Sequence, residues 1–177
     1  MKKIISALVL ASLIIPAFAE PLKIDGKFRK ISGQTSFLDL WQKNGPGLKE
    51  ATYTITKTDD GNEVNIKTGK KTAALVANGR FPVKIGQTYK VRIELKGNAR
   101  YFSVGFYLNT AKGEWVNPQE KRFNTIACKE YTVFEGTFTL KPEKKEYTYG
   151  NLNIGISSGG ADITIKEISV ELAEEGK

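Results

Sequence analysis

Between Gly86 and Asn109 the chain reads GQTYKVRIELKGNARYFSVGFYLN, two consecutive stretches in which apolar and polar positions alternate. In the first, Tyr89, Val91, Ile93 and Leu95 alternate with Lys90, Arg92, Glu94 and Lys96. A period of two predicts an antiparallel strand with one dry face and one charged face. In the second, Phe102, Val104, Phe106 and Leu108 make the dry face, and Tyr101, Ser103, Gly105, Tyr107 and Asn109 lie opposite. A solvated face is usually built from Lys, Glu and Thr. Two tyrosines over a floor of small residues predict instead a surface shaped to hold a flat ligand.

The rest of the chain repeats the strand pattern. Leu22 to Ile31 reads as an extended entry segment interrupted by Asp25-Gly26. Phe37 to Trp41 (FLDLW) carries the one helical hint, ended at once by Asn44-Gly45-Pro46-Gly47. Tyr53 and Ile55 alternate within Ala51 to Lys57, and Asp59-Asp60-Gly61-Asn62 predicts a hairpin turn into Val64 and Ile66. Thr68 to Lys71 is a second turn, Thr72 to Ala77 an apolar strand, and Asn78-Gly79 a third turn before Phe81, Val83 and Ile85. Beyond Ala111-Lys112-Gly113, Asn117 to Lys121 is expected to be a loop. Tyr131 to Leu140 then forms a long strand with Phe134, Phe138 and Leu140 inward. Leu152, Ile154 and Ile156 alternate with Asn151, Asn153 and Gly155. The last strand changes parity: Ile163 and Ile165 lie on one face, Lys166-Glu167 intervenes, and Ile168, Val170 and Leu172 resume one residue out of step. A skipped residue in a period-two pattern predicts a β-bulge.

About ten short strands with frequent turn signals predict an all-β, two-sheet antiparallel sandwich. Phe28, Phe81, Phe134 and Phe138 fit core positions, and Trp41, in an apolar patch with Leu38 and Leu40, reads as core or rim packing rather than a ligand contact.

The N-terminus adds a compartment. Lys2 and Lys3, an apolar run from Ile4 to Ile15, and Ala17-Phe18-Ala19 have the form of an export signal spanning residues 1–19. The expectation is a single β-sandwich domain over residues 20–177, periplasmic or extracellular, with no membrane anchor. The net charge of +8 falls to +6 without Lys2 and Lys3. Export argues against nucleic acid as a partner, so the positive excess leaves an acidic glycan, an anionic surface or nothing specific. Cys128 is the only cysteine, so no internal disulfide forms, and it reads as a packed strand residue.

The order of motifs resembles a known group. Asp25-Gly26-Lys27-Phe28 precedes Trp41; then come Phe81-x-Val83-x-Ile85-Gly86-x-Thr88-Tyr89, Tyr131-x-x-Phe134-x-Gly136-x-Phe138, and Ile163-x-Ile165-Lys166-Glu167-Ile168-x-Val170. This succession resembles the galactose-binding-like jelly-roll carbohydrate-binding modules of the type of families four, nine and twenty-two. The resemblance implies a jelly-roll fold and a non-catalytic, glycan-binding role. Members of that group commonly begin N-G-x-F-E and end I-D-D-V, with acidic residues from both ends ligating a structural calcium. Here the glutamate position holds Arg29 and the first aspartate position Lys166. Two cations would repel the ion, so no metal and no cofactor is expected. Arg29 is expected to pair with Glu167 instead.

The chemistry narrows accordingly. With no histidine, the usual general base and metal ligand are absent. A glycosidase needs only two carboxylates, and Glu94 and Glu135 are the available outward pair; their basic and threonine neighbours favour ordinary ionised surface groups. Binding is the stronger expectation. A tyrosine or tryptophan ring covers the C–H face of a sugar, and Asn, Arg and Glu side chains hydrogen-bond its hydroxyls. Tyr101, Tyr107, Asn109, Trp115, Arg92, Glu94, Asn151 and Asn153 are the candidate ligand contacts, provided their strands share one sheet. Two other classes stay open: an envelope structural or protein-interaction sandwich, and a small glycan-active enzyme.

Overall fold

The computed structural model describes residues 22, 24–33 and 37–173, and among these every regular element is a strand. The export signal predicted for residues 1–19 and the end of the tail lie outside the described residues. The strands are β1 (Trp41–Asn44), β2 (Thr52–Thr58), β3 (Gly61–Lys67), β4 (Ala73–Ala77), β5 (Phe81–Pro82), β6 (Thr88–Asn109), β7 (Trp115–Thr139), β8 (Tyr149–Ile156) and β9 (Asp162–Leu172). All pairings are antiparallel.

The two alternating stretches at the centre of the sequence are one strand. β6 runs through both layers of a sandwich, with β7 beside it along nearly its whole length. Its first half pairs with β9, followed outward by β3 and β2; its second half pairs with β8, followed by β4 and β1. The chain turns the corner at Gly97, whose φ of +124° favours glycine and whose added Cβ would lie 2.0 Å from the Asp162 carbonyl oxygen. Further along β7, between the partners of Ala99 and Tyr101, Thr125 takes a φ of 57°. The sheet thus folds over itself as a jelly roll.

The inward residues of both halves meet in the middle. Val91, Ile93, Leu95, Phe102, Val104, Phe106, Leu108 and the β8 residues Leu152, Ile154 and Ile156 are fully buried, as the alternation requires. Phe102 packs edge-on against Phe134 at 5.4 Å and Tyr89 edge-on against Phe106 at 4.8 Å, so aromatic pairs stitch the two layers together. Trp41 is a core residue, tilted against Phe28 at 5.5 Å with its Nε1 donating to the Asp25 carbonyl. The parity change in β9 is a bulge at Lys166: Glu94 of β6 pairs with Glu167, whereas the next residue, Leu95, pairs with Ile165. Cys128 is half-buried in β7, its Sγ 3.7 Å from the Leu95 carbonyl oxygen.

Three expectations are corrected. FLDLW forms no helix: Leu38 bridges to Ile31 and Trp41 opens β1. The eight residues from Phe37 to Asn44, ahead of Gly45-Pro46-Gly47, are too few to repay the cost of nucleating a helix. Asn117 to Lys121 is not a loop but part of β7, with Pro118 opposite Tyr107 and Gln119 opposite Phe106. β7 is the outer strand of both layers, where proline and polar side chains are tolerated and strict alternation is not required. Arg29 pairs with Asp60 at 3.3 Å, not with Glu167, and Lys27 pairs with the same carboxylate. Asp60 lies in the turn joining β2 to β3, and the register Thr58 opposite Gly61 brings that turn to the N-terminal segment.

Candidate functional site

The second half of β6 presents its outward side chains between β8 and β7. Register places Gly155 beside Ser103, Asn153 beside Gly105 and Asn151 beside Tyr107, with Arg122, Glu120 and Pro118 across from the same three residues on β7. A cavity of about 150 Å³ opens on this face. Tyr101 and Tyr107 stand at its two ends, Pro118 and Glu120 on the β7 side, and Gly45, Pro46 and Thr72 on the β1–β4 side.

Two glycines make the floor low. A Cβ on Gly105 would come 2.1 Å from the Gln119 carbonyl oxygen and 2.6 Å from the Glu120 Cβ; one on Gly155 would come 2.7 Å from Ser103 Oγ. Without those methyl groups, Ser103 and Asn153 occupy the floor, each only 2% exposed. Ser103 Oγ donates to Glu120 Oε2 at 2.9 Å. Asn153 Oδ1 is buried and accepts no hydrogen bond from the protein. An unsatisfied buried amide oxygen costs roughly 1–3 kcal/mol, which marks this floor as unusual.

The walls are held from behind. The Arg122 guanidinium carbon lies 3.5 Å from the centroid of the Tyr101 ring, a close cation–π stack. Tyr53 reaches across from the β2 edge and its hydroxyl donates to the Ala74 carbonyl at 2.9 Å, bracing β4. Burial, and then the nearby Glu120 carboxylate, push the Tyr107 hydroxyl above its ordinary pKa, so it stays a protonated donor.

Of the eight candidate contacts, the structure brings Tyr101, Tyr107 and Asn153 together in the cavity. Asn109 and Asn151 sit just beyond its Tyr107 end and tie strands together: Asn109 Nδ2 donates to the Tyr107 carbonyl at 2.8 Å and Asn151 Nδ2 to the Gly79 carbonyl at 3.0 Å. Trp115 lies opposite Asn109 at the strand end, 61% exposed and outside the cavity. Arg92 and Glu94 do not join them. They belong to the first half of β6, in the other layer, where Arg92 pairs with Glu135 at 3.6 Å and Glu94 with Lys166 at 2.8 Å. The two halves share a strand but face opposite sides of the sandwich. Glu94 and Glu135, the only carboxylate pair with a catalytic reading, are therefore ion-paired on the face away from the cavity.

Sequence reasoning missed Glu120, because its segment reads as a loop. Its place follows from strand register alone, Glu120 lying across from Gly105, and the alternation of the sequence carries no signal of that pairing.

The fold has many solved relatives. The chain is similar to the enzymatically active domain of the bacteriophage CBA120 tailspike protein 4, at 13% identity and a TM-score of 0.57 over 84% of this chain. It spans only 21% of that protein's chain. It is similar over 88% of its length, at 10% identity and a TM-score of 0.56, to the family 11 carbohydrate-binding module of Lic26A-Cel5E from Clostridium thermocellum, covering 96% of that chain. The CBM22-1 xylan-binding domain from Paenibacillus barcinonensis Xyn10C is similar at 12% identity and a TM-score of 0.53, over 89% of this chain and 97% of that one. At these identities the likeness is one of fold, and it is the jelly-roll sandwich that the motif order implied. No protein-family model matches the sequence, and no curated protein matches it significantly.

Proposed function

We propose that the chain is an exported, non-catalytic carbohydrate-binding domain that takes one sugar ring of a glycan into the cavity between Tyr101 and Tyr107. The observation that carries this reading is the pairing of aromatic walls with a buried polar floor. Tyrosine rings cover the apolar faces of a pyranose, and Asn153, Ser103 and Glu120 meet its hydroxyls. A cavity of about 150 Å³ suits a single six-membered ring. It is on the scale of cavities that admit benzene, and below the ~300–1,000 Å³ of pockets that enclose drug-sized ligands.

The non-catalytic part rests on charge. Glycoside hydrolysis ordinarily uses two carboxylates flanking one bond, and the residues lining this cavity include Glu120 alone. Two structural neighbours that this chain matches nearly end to end are carbohydrate-binding modules by description, one of them xylan-binding, which supports the same reading. Export rests on the composition of residues 1–19, and cell fractionation tests it.

The test is a glycan array probed with residues 20–177, repeated with Tyr107→Ala. Selective retention of one glycan class, lost in the variant, is the expected result. Binding to no glycan, or glycan binding indifferent to Tyr107, overturns the proposal.

A further inference from the structure

Among the described residues, Glu120 is the only charged side chain that lines the cavity. It belongs to a chain with 27 Lys and Arg against 19 Asp and Glu, yet among the described residues it takes part in no ion pair. It accepts a hydrogen bond from the neutral Ser103 hydroxyl. Arg122, two positions along β7, is stacked on Tyr101 and absent from the lining.

The neutral groups around it both donate and accept: the Tyr107 hydroxyl is a donor, and Asn153 Nδ2 would lie 3.7 Å from a Cβ on Gly155. Ser103 has its proton committed to Glu120, leaving lone pairs. Asn153 holds a buried carbonyl oxygen with no protein donor. The floor therefore offers neutral donors and acceptors, and its negative charge sits on the exposed Glu120 side chain on the β7 side.

Resting on the carbohydrate-binding reading, we infer that Glu120 makes this site a charge filter: it favours a protonated amino sugar over a neutral ring and disfavours anionic rings such as uronic acids. The overall positive charge of the protein points the other way and suggests an acidic glycan. Local geometry decides at the cavity, because Glu120 is on its lining without an ion-pair partner, whereas Arg122 is stacked on Tyr101 and off the lining.

The experiment uses matched triples on one array: neutral hexose, 2-amino-2-deoxyhexose and hexuronate, in gluco and galacto forms and at fixed linkage. The probes are the chain covering residues 20–177, its Glu120→Gln variant and its Tyr107→Ala variant. Affinity is expected to fall from amino to neutral to acidic by at least about tenfold at each step. Glu120→Gln is expected to bring the three within about threefold of one another, with an unchanged melting temperature as the check on folding. Equal binding of acidic and neutral members, or a ranking that survives Glu120→Gln, overturns the charge filter while the carbohydrate-binding reading stands. Binding to no member of any triple, or binding indifferent to Tyr107, overturns both.

Discussion

The guanidinium of Arg122 covers one face of the Tyr101 ring, 3.5 Å from its centroid. The contact holds the ring at the end of the cavity. Exposed cation–π pairs contribute about 0.5–1 kcal/mol. Arg122→Ala is expected to lower stability by no more than about that, measured by chemical denaturation. It should weaken glycan binding less than Tyr101→Ala does, because the wall remains and only its support is lost.

Adjacent residues on β6 have opposite duties. Phe106 is fully buried and packs on Tyr89 and Phe138, so Phe106→Ala should cost about 3–5 kcal/mol of stability. Tyr107 faces the cavity half-buried, and Tyr107→Ala should weaken binding by roughly 1–3 kcal/mol while costing clearly less stability than its neighbour. Thermal melts and titration of both variants separate the two effects. Equal destabilisation would mean that Tyr107 is a packing residue.

Gly105 keeps the cavity floor low because nothing else fits against Gln119 and Glu120. A methyl group there would meet backbone atoms rather than a side chain that can rotate away. Gly105→Ala is expected to force β6 and β7 apart and destabilise the protein by about 1–3 kcal/mol. Amide exchange should show the loss concentrated at residues 119–122.

Tyr89 sets an alkaline limit. Burial first, and then the neighbouring Tyr147, push its hydroxyl from 10.0 to about 12. A folded pKa raised above the unfolded one means that the folded state holds the proton more tightly. The contribution is therefore full below pH 10 and is lost as pH rises through 12. Stability measured from pH 9 to 12 should fall in wild type, and less steeply in Tyr89→Phe.

Calcium is expected to leave the melting temperature unchanged, with or without chelator. Lys27 and Lys166 line the pocket beside Asp60 and Glu167, so two ammonium groups stand where an added cation would need oxygen ligands. A rise of several degrees with Ca²⁺ would show that these lysines move aside.

Alternation alone was enough to state the strand class, the inward residues of β6 and β8, and the bulge at Lys166. Side-chain parity along a strand is a local property, written in the residues themselves. It also announced the Tyr101–Tyr107 face, since Phe102 and Phe106 leave the tyrosines nowhere else to point. It was silent on which faces meet. Arg92 and Tyr101 are both outward on β6, yet the corner at Gly97 sends them to opposite sides of the sandwich. Glu120 enters the cavity only because β7 pairs with β6 in one register out of many. Strand partners are chosen by contacts between residues far apart in the chain, and a pattern of period two carries no record of that choice.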